Sequence, residues 1–131
     1  MAGKILVADV DANIRSVLKY RLRRDGHTIL LSANCADALD KVRAENPDLI
    51  VLDLALPEPE GSGLCEQILS DAAERGIPVL ALTIYGDDLS NGASTDPRVL
   101  CVIQKPFSAR QLVADISAIV SSQGGMTVQR L

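Results

Sequence analysis

Four polar side chains each follow a short apolar run, and together their types suit phosphoryl transfer. They are Asp9, Asp53, Thr83 and Lys105. Two carboxylates brought close together repel each other and favour a bound cation, and oxygen ligands of this kind suit Mg²⁺. A hydroxyl and an ammonium are groups that stabilise the oxygens of a transferred phosphoryl group. Because an Asp carboxylate can act as a nucleophile, these residue types predict phosphoryl transfer to Asp53.

The elements that must bring these residues together are strands alternating with helices. Continuous apolar runs are typical of strands covered on both faces, and five such runs occur here. They lie at residues 5–8, 28–31, 49–52, 79–82 and 99–103. Amphipathic spacing predicts helices between them. These helices cover about residues 12–24, 35–45, 64–74 and 109–120.

Residue types at the helix ends support these bounds. Asp11 is placed to cap the first helix, and Asn46 followed by Pro47 ends the second. Ser108 with Gln111 has the spacing of a capping box at the last helix. Residues 86–97 are rich in turn formers, so only a short helix near 87–90 is expected there. Apolar spacing in the first helix predicts an inward stripe, formed by Ile14, Val17, Leu18 and Leu22.

This alternation predicts an α/β fold, with a parallel sheet covered by helices on both faces. Ligands of such sheets bind beyond the carboxyl ends of the strands, which is where the four polar residues fall. We expect a single domain over residues 1–121 and a flexible tail over residues 122–131.

Composition narrows the class of function. The chain has 131 residues, of which 47% are hydrophobic and 23% charged, as in an ordinary globular domain. A net charge of −4, with two Tyr, one Phe and no Trp, argues against direct nucleic-acid binding. No signal peptide and no membrane-length apolar run is visible, so a cytoplasmic protein without membrane contact is predicted. Three spaced cysteines make no zinc pattern, and the single His27 is predicted to be a partly exposed structural residue.

The motifs, taken in order, resemble the receiver domain of two-component response regulators. The resemblance covers about residues 4–120. It is carried by Ile5-Leu6-Val7-Ala8-Asp9, Val51-Leu52-Asp53 with Leu56-Pro57 and Gly61, Leu82-Thr83, and Lys105-Pro106-Phe107. It implies the flavodoxin-like fold, a three-layer sandwich with a five-stranded parallel sheet in the order 2-1-3-4-5.

The resemblance also implies a role for each site residue. Asp53 would accept a phosphoryl group from a sensor histidine kinase or a phosphotransfer protein. Asp9 and Asp53 would hold Mg²⁺ together with the backbone carbonyl of Ala55. Thr83 and Lys105 would contact the phosphoryl oxygens. The signal would pass by contact to an unknown downstream protein, from a monomer or a weak homodimer.

Five positions bear on how closely the site follows the family pattern. The family usually has a second acid where this chain has Val10, so a weakened Mg²⁺ site is expected. Asp11 is open to two interpretations, a helix N-cap or a replacement metal ligand. Ile84 is bulky where a small residue is usual and is expected to cover the site, and Val102 replaces a usual aromatic residue. The bond before Pro106 is expected to be cis, as in the family.

Three functions follow. The first is a single-domain phosphoacceptor, which is not an enzyme beyond its own phosphotransfer and dephosphorylation. The second is a pseudo-receiver that binds its partner without phosphorylation, motivated by Val10, Ile84 and Val102. The third is a phosphatase with an aspartyl phosphate intermediate, or a flavin-binding protein. The position of the usual general acid holds Ala55, and no phosphate-binding loop follows the first strand, so both forms of the third are disfavoured.

Overall fold

The computed structural model describes residues 2–84 and 96–122, and it contains five strands and four helices there. In chain order the elements are β1 (Lys4–Ala8), α1 (Ala12–Arg24), β2 (Thr28–Ser32), α2 (Cys35–Glu45), β3 (Leu49–Asp53), α3 (Leu64–Arg75), β4 (Val79–Thr83), β5 (Cys101–Gln104) and α4 (Ala109–Ser121). The short helix predicted at 87–90 and the predicted tail beyond residue 122 lie outside the described residues.

The strands form one parallel sheet in the order β2-β1-β3-β4-β5, which confirms the predicted topology. The register pairs Asp53 of β3 with Leu82 of β4, and Thr83 with Gln104 of β5. The carboxyl ends of the three strands are therefore level, and residues that follow them share one edge of the sheet.

Helices cover both faces of the sheet, so the interior of each strand is buried on both sides. Alternate residues of the central strands point to opposite faces. Leu6 and Ile50 pack with α2 and α3, whereas Val7 and Val51 pack with α1 and α4. All five residues of β3 and of β4 are buried. None of the described helices combines the length and hydrophobicity that spanning a membrane requires.

Several local predictions are confirmed and others are wrong. Asp11 caps α1, and Asn46 ends α2 in the left-handed conformation with φ 47°. Val17, predicted to face inward, is 43% exposed because it lies at the edge of the α1 stripe, over an open groove rather than over the sheet. The capping box is half formed: Ser108 Oγ accepts from the Gln111 N–H, but the Gln111 side chain donates to an acid one turn further along α4.

The remaining differences arise from individual hydrogen bonds, one within a turn and one between distant segments. β5 begins at Cys101 rather than at residue 99, because the Val99 N–H donates to the Asp96 carbonyl in a turn. His27 is structural as predicted, but it is 5% exposed rather than partly exposed. Its ring accepts a hydrogen bond from the Gly3 N–H, 24 residues away.

Candidate functional site

The carboxyl edge of the sheet gathers the polar residues predicted from the sequence. Asp9 follows β1, Asp53 is the last residue of β3, and Thr83 is the last residue of β4. The three residues are only 0%, 2% and 1% exposed, respectively. Buried carboxylates are costly unless they are paired, so this edge must supply compensating charge and hydrogen bonds.

Lys105 supplies the charge. Its Nζ lies 3.0 Å from Asp9 Oδ2 and 3.4 Å from Asp53 Oδ2, and its side chain is 12% exposed. The Lys105 N–H donates to the Thr83 carbonyl, which joins the loop after β5 to the end of β4. The bond between Lys105 and Pro106 is cis, as predicted. The ammonium therefore bridges two carboxylates that come from different strands.

Burial and charge act in opposite directions on these ionisable groups. Burial raises the pKa of Asp9 and outweighs the lowering by the Asp11 N–H and by Lys105. Burial also disfavours the charged form of Lys105, but the hydrogen bond and charge of Asp9, with the charge of Asp53, leave the pKa of Lys105 raised. The lysine is thus held in its charged form by the two acids that it neutralises.

Backbone N–H groups orient both carboxylates. The Ala55 N–H donates to Asp53 Oδ1 at 2.9 Å, and the Val10 N–H lies 3.4 Å from Asp53 Oδ2. The Asp11 N–H donates to Asp9 Oδ1 at 2.8 Å. The side chains are therefore fixed by the turns that follow their strands, rather than by other side chains alone.

Asp11 is the N-cap of α1, which is one of its two predicted roles. Its Oδ1 accepts a hydrogen bond from the Asn13 N–H at 2.8 Å, and its side chain is directed to the start of α1. Within residues 2–84 and 96–122, no three His, Cys, Asp or Glu side chains are grouped to hold a metal ion. With Val10 in the next position, Asp9 and Asp53 are the carboxylates gathered at this edge.

These residues fit Mg²⁺ with a reduced set of charged ligands. Asp9 Oδ2 is buried and accepts no well-aligned hydrogen bond among the described residues, although it lies in ionic contact with Lys105. Mg²⁺ needs only one or two carboxylates, since it keeps several waters. Asp9 and Asp53 meet that need, and Ala55 in the turn after β3 has a backbone carbonyl to add. Because position 10 holds Val rather than an acid, the site carries one negative charge fewer than the family pattern.

A groove of about 580 Å³ opens beside the site. Its lining includes Lys105 and several apolar side chains, among them Ile14, Val17, Ile84 and Phe107. Ile84 follows Thr83 directly and is 51% exposed. A bulky apolar residue therefore lies next to the carboxyl edge of the sheet, and the expectation that it covers the site stays a prediction.

Arg15 is a site neighbour that sequence reasoning missed. Arg15 is not part of the inward stripe predicted for α1, yet its Nη1 donates to the Asp9 carbonyl at 2.7 Å and to the Val10 carbonyl at 3.2 Å. The available signal was its position in the first turn of the helix, within side-chain reach of the preceding loop.

Comparison with known proteins agrees with this geometry. The family model described as response regulator receiver domain matches residues 5–117. The alkaline phosphatase synthesis transcriptional regulatory protein PhoP of Bacillus subtilis is 33% identical over 120 residues, which are 92% of this chain and 49% of that protein. A probable transcriptional regulator, ycf27 of Guillardia theta, is 31% identical over 89% of this chain and 45% of its own length. The chain thus spans about half the length of the curated relatives it matches.

Solved structures show the same fold. A CheY-like receiver domain protein of Methanospirillum hungatei has a TM-score of 0.79 and 25% identity, covering 94% of this chain and 97% of that one. A two-component response regulator of Clostridium difficile has a TM-score of 0.78 and 28% identity, covering 93% and 98%. The BeF3-activated DrrB receiver domain has a TM-score of 0.75 and 26% identity, covering 92% and 99%. With the sheet order, the buried carboxylates and the bridging lysine, these matches show that the chain belongs to the response regulator receiver domain family, a family of signalling domains.

Proposed function

We propose that this receiver domain accepts a phosphoryl group on Asp53 from the phosphohistidine of a sensor histidine kinase or phosphotransfer protein. The observation that carries the proposal is the position of the Lys105 ammonium, 3.4 Å from Asp53 Oδ2 and 3.0 Å from Asp9 Oδ2. Thr83 is the last residue of β4, which lies next to β3 and runs parallel to it. A carboxylate, a hydroxyl and an ammonium therefore meet at one edge of the sheet.

The geometry supports in-line displacement by the Asp53 carboxylate. A carboxylate oxygen attacks phosphorus, the P–N bond to the histidine breaks, and the bonding electrons leave with the imidazole. The Ala55 N–H fixes the other oxygen of Asp53, which limits rotation of the nucleophile. Lys105 balances charge on the phosphoryl oxygens, and Thr83 supplies a hydroxyl for them. Bound Mg²⁺, held by Asp9, Asp53 and the Ala55 carbonyl, would supply further positive charge to the same oxygens.

We infer that the output is contact with a downstream protein rather than direct binding of nucleic acid. The net charge of −4 supports this, because phosphate backbones are bound by basic surfaces. In this proposal the domain is a monomer or a weak homodimer.

A second function, a pseudo-receiver that binds its partner without phosphorylation, is favoured by one observation. The side chain at position 10 is an apolar Val that is 51% exposed, so the site has one carboxylate fewer than the family pattern. The Asp53→Asn variant, expressed in the native host, separates the two functions. Loss of the signalling output supports the phosphoacceptor, whereas an unchanged output supports the pseudo-receiver. Lys4→Met, which breaks an exposed ion pair at the amino end of β1 rather than at the carboxyl end, is the matched control.

The phosphoryl source is tested by transfer from a histidine-phosphorylated protein. A phosphotransfer protein labelled on its histidine is mixed with the domain, and the label on each protein is followed over time. Transfer to the wild type and not to Asp53→Asn supports the proposal. Retention of the label on the histidine protein, under conditions in which another receiver domain removes it, contradicts it.

A further inference from the structure

We propose that Arg15 is a positioning residue, which holds the loop of residues 9–11 so that the Asp9 carboxylate and the Val10 N–H face Asp53. This inference rests on the proposed function, because it concerns the same phosphoacceptor site. Arg15 does not touch Asp53 in the described contacts; it acts through the backbone of the loop. The loop is referred to below as the β1–α1 loop.

The evidence is a continuous set of contacts from α1 to the phosphoacceptor. Arg15 Nη1 donates to the carbonyls of Asp9 and Val10, at 2.7 and 3.2 Å. The N–H groups of the same loop point the other way, from Val10 to Asp53 Oδ2 and from Asp11 to Asp9 Oδ1. Both polar sides of these peptides are therefore satisfied, one by the helix and one by the site.

Val10 makes this support more important. An acid at position 10 would add a second tie between the loop and a bound cation, but the Val side chain has no oxygen to offer. Asp11 cannot add that tie, since its carboxylate caps α1 through the Asn13 N–H. The Asp9 N–H donates to the Ser32 carbonyl of β2, and Arg15 is the side chain that holds the carbonyls of Asp9 and Val10. A guanidinium suits this task because one group can donate to two carbonyls at once.

The other basic residues of α1 show that this is not a general feature of the helix. α1 contains five basic residues and no acid. Lys19 and Arg23 line an open surface depression with Tyr20, and Arg24 stacks over the Tyr20 ring at 5.6 Å. Arg15, in contrast, is directed to the loop at the carboxyl edge of the sheet.

Amide hydrogen exchange tests the proposal without any phosphorylation. The Val10 and Asp11 amides are the ones bonded to the two carboxylates, so their exchange reports directly on the loop. In Arg15→Ala, we expect exchange at both amides to accelerate about tenfold, since a hydrogen bond from a charged donor is lost. Exchange at the Val51 amide in β3 should be unchanged. Arg15→Lys keeps the positive charge on a side chain without the planar guanidinium, so its effect should be intermediate.

Lys19→Ala is the matched control, because it removes one positive charge from the next turn of the same helix. It should leave the Val10 and Asp11 amides at the wild-type rate. The proposal is overturned if Arg15→Ala leaves both amides unchanged, if Lys19→Ala accelerates them equally, or if Val51 accelerates in step with them. The last result would show a loss of global stability rather than of loop position.

Binding of Mn²⁺, followed by electron paramagnetic resonance, gives a second readout. We expect Arg15→Ala to weaken Mn²⁺ binding about tenfold, in the range found when the support of a metal ligand is removed. Lys19→Ala should not weaken it. Neither test depends on phosphorylation. If the wild type is never phosphorylated but Arg15→Ala shows the expected amide exchange, the proposed phosphoacceptor function is contradicted and the positioning role of Arg15 is supported.

Discussion

The ammonium of Lys105 lies 3.0 Å from the carboxylate of Asp9, although in the sequence Asp9 follows the first strand and Lys105 follows the last. Asp9 is fully buried, and Lys105 contacts Asp53 as well. The site therefore contains its own cation. The lysine neutralises the two acids in part, and a bound metal ion would add further positive charge.

Removing this cation should destabilise the fold. In Lys105→Met, the buried charges of Asp9 and Asp53 lose their partner, and we expect a loss of about 3 kcal/mol in the free energy of unfolding. Adding Asp9→Asn should restore at least half of that loss, because one uncompensated charge is removed. Urea unfolding of the single and double variants measures both effects.

Lys4→Met provides the comparison for an exposed ion pair. Its partner Glu45 is 45% exposed, so the loss should be about 0–1 kcal/mol. Equal losses in the Lys4 and Lys105 variants would contradict the role given to burial at the site.

Restoring an acid at position 10 should strengthen metal binding. The Val10 N–H is 3.4 Å from Asp53 Oδ2, so the backbone of this residue already borders the site. In Val10→Asp, we expect Mn²⁺ or Mg²⁺ to bind about tenfold more tightly, since an added charge near a divalent cation contributes a few kcal/mol even when partly screened. Val17→Asp adds the same charge to a side chain of similar exposure on α1. Equal tightening in both variants would point to a general charge effect and contradict the specific one.

The buried His27 should make stability depend on pH. Its Nδ1 accepts from the Gly3 N–H at 3.0 Å, so Nε2 carries the proton and donates to Ser117 Oγ, which donates to Asp25. Burial lowers the pKa of His27 below its ordinary value of 6.5, despite the opposing charge of Asp25. As the pH falls, the unfolded chain therefore takes up the proton before the folded chain does. The contribution of neutral His27 to the free energy of unfolding is full above pH 6.5 and decreases as the pH falls through that value.

His27→Gln removes the titrating group and provides the reference. The free energy of unfolding of the wild type should fall faster than that of His27→Gln between pH 7 and 5.5. Parallel curves for the two proteins over this interval would show that His27 does not carry the effect.

Most of the fold could be predicted from the sequence because it depends on local patterns. The apolar runs of the strands and the caps at Asp11 and Asn46 are visible in short windows, and each is confirmed. The site residues at the strand ends follow from the topology of a parallel sheet. The strand order alone places Asp9 and Lys105 at the same edge, so no contact between their side chains has to be known beforehand.

Contacts between distant segments could not be predicted in this way. The burial of His27 depends on Gly3 and Ser117, which lie on two other segments of the chain. The contacts of Arg15 depend on the path of the loop at Val10, which no helical pattern describes. Periodicity identifies the face of a helix, but it does not show which backbone groups lie within reach of a long side chain.

Phosphorylation of Asp53 is the central claim, and intact mass measurement tests it most directly. Wild type, Asp53→Asn and Val10→Asp are incubated with Mg²⁺ and acetyl phosphate, beside a receiver domain known to be labelled under the same conditions. We expect one phosphoryl group on the wild type, faster labelling of Val10→Asp, and none on Asp53→Asn. An unlabelled wild type beside a labelled control domain, or equal labelling of Asp53→Asn, would contradict the assignment of Asp53 as the phosphoacceptor.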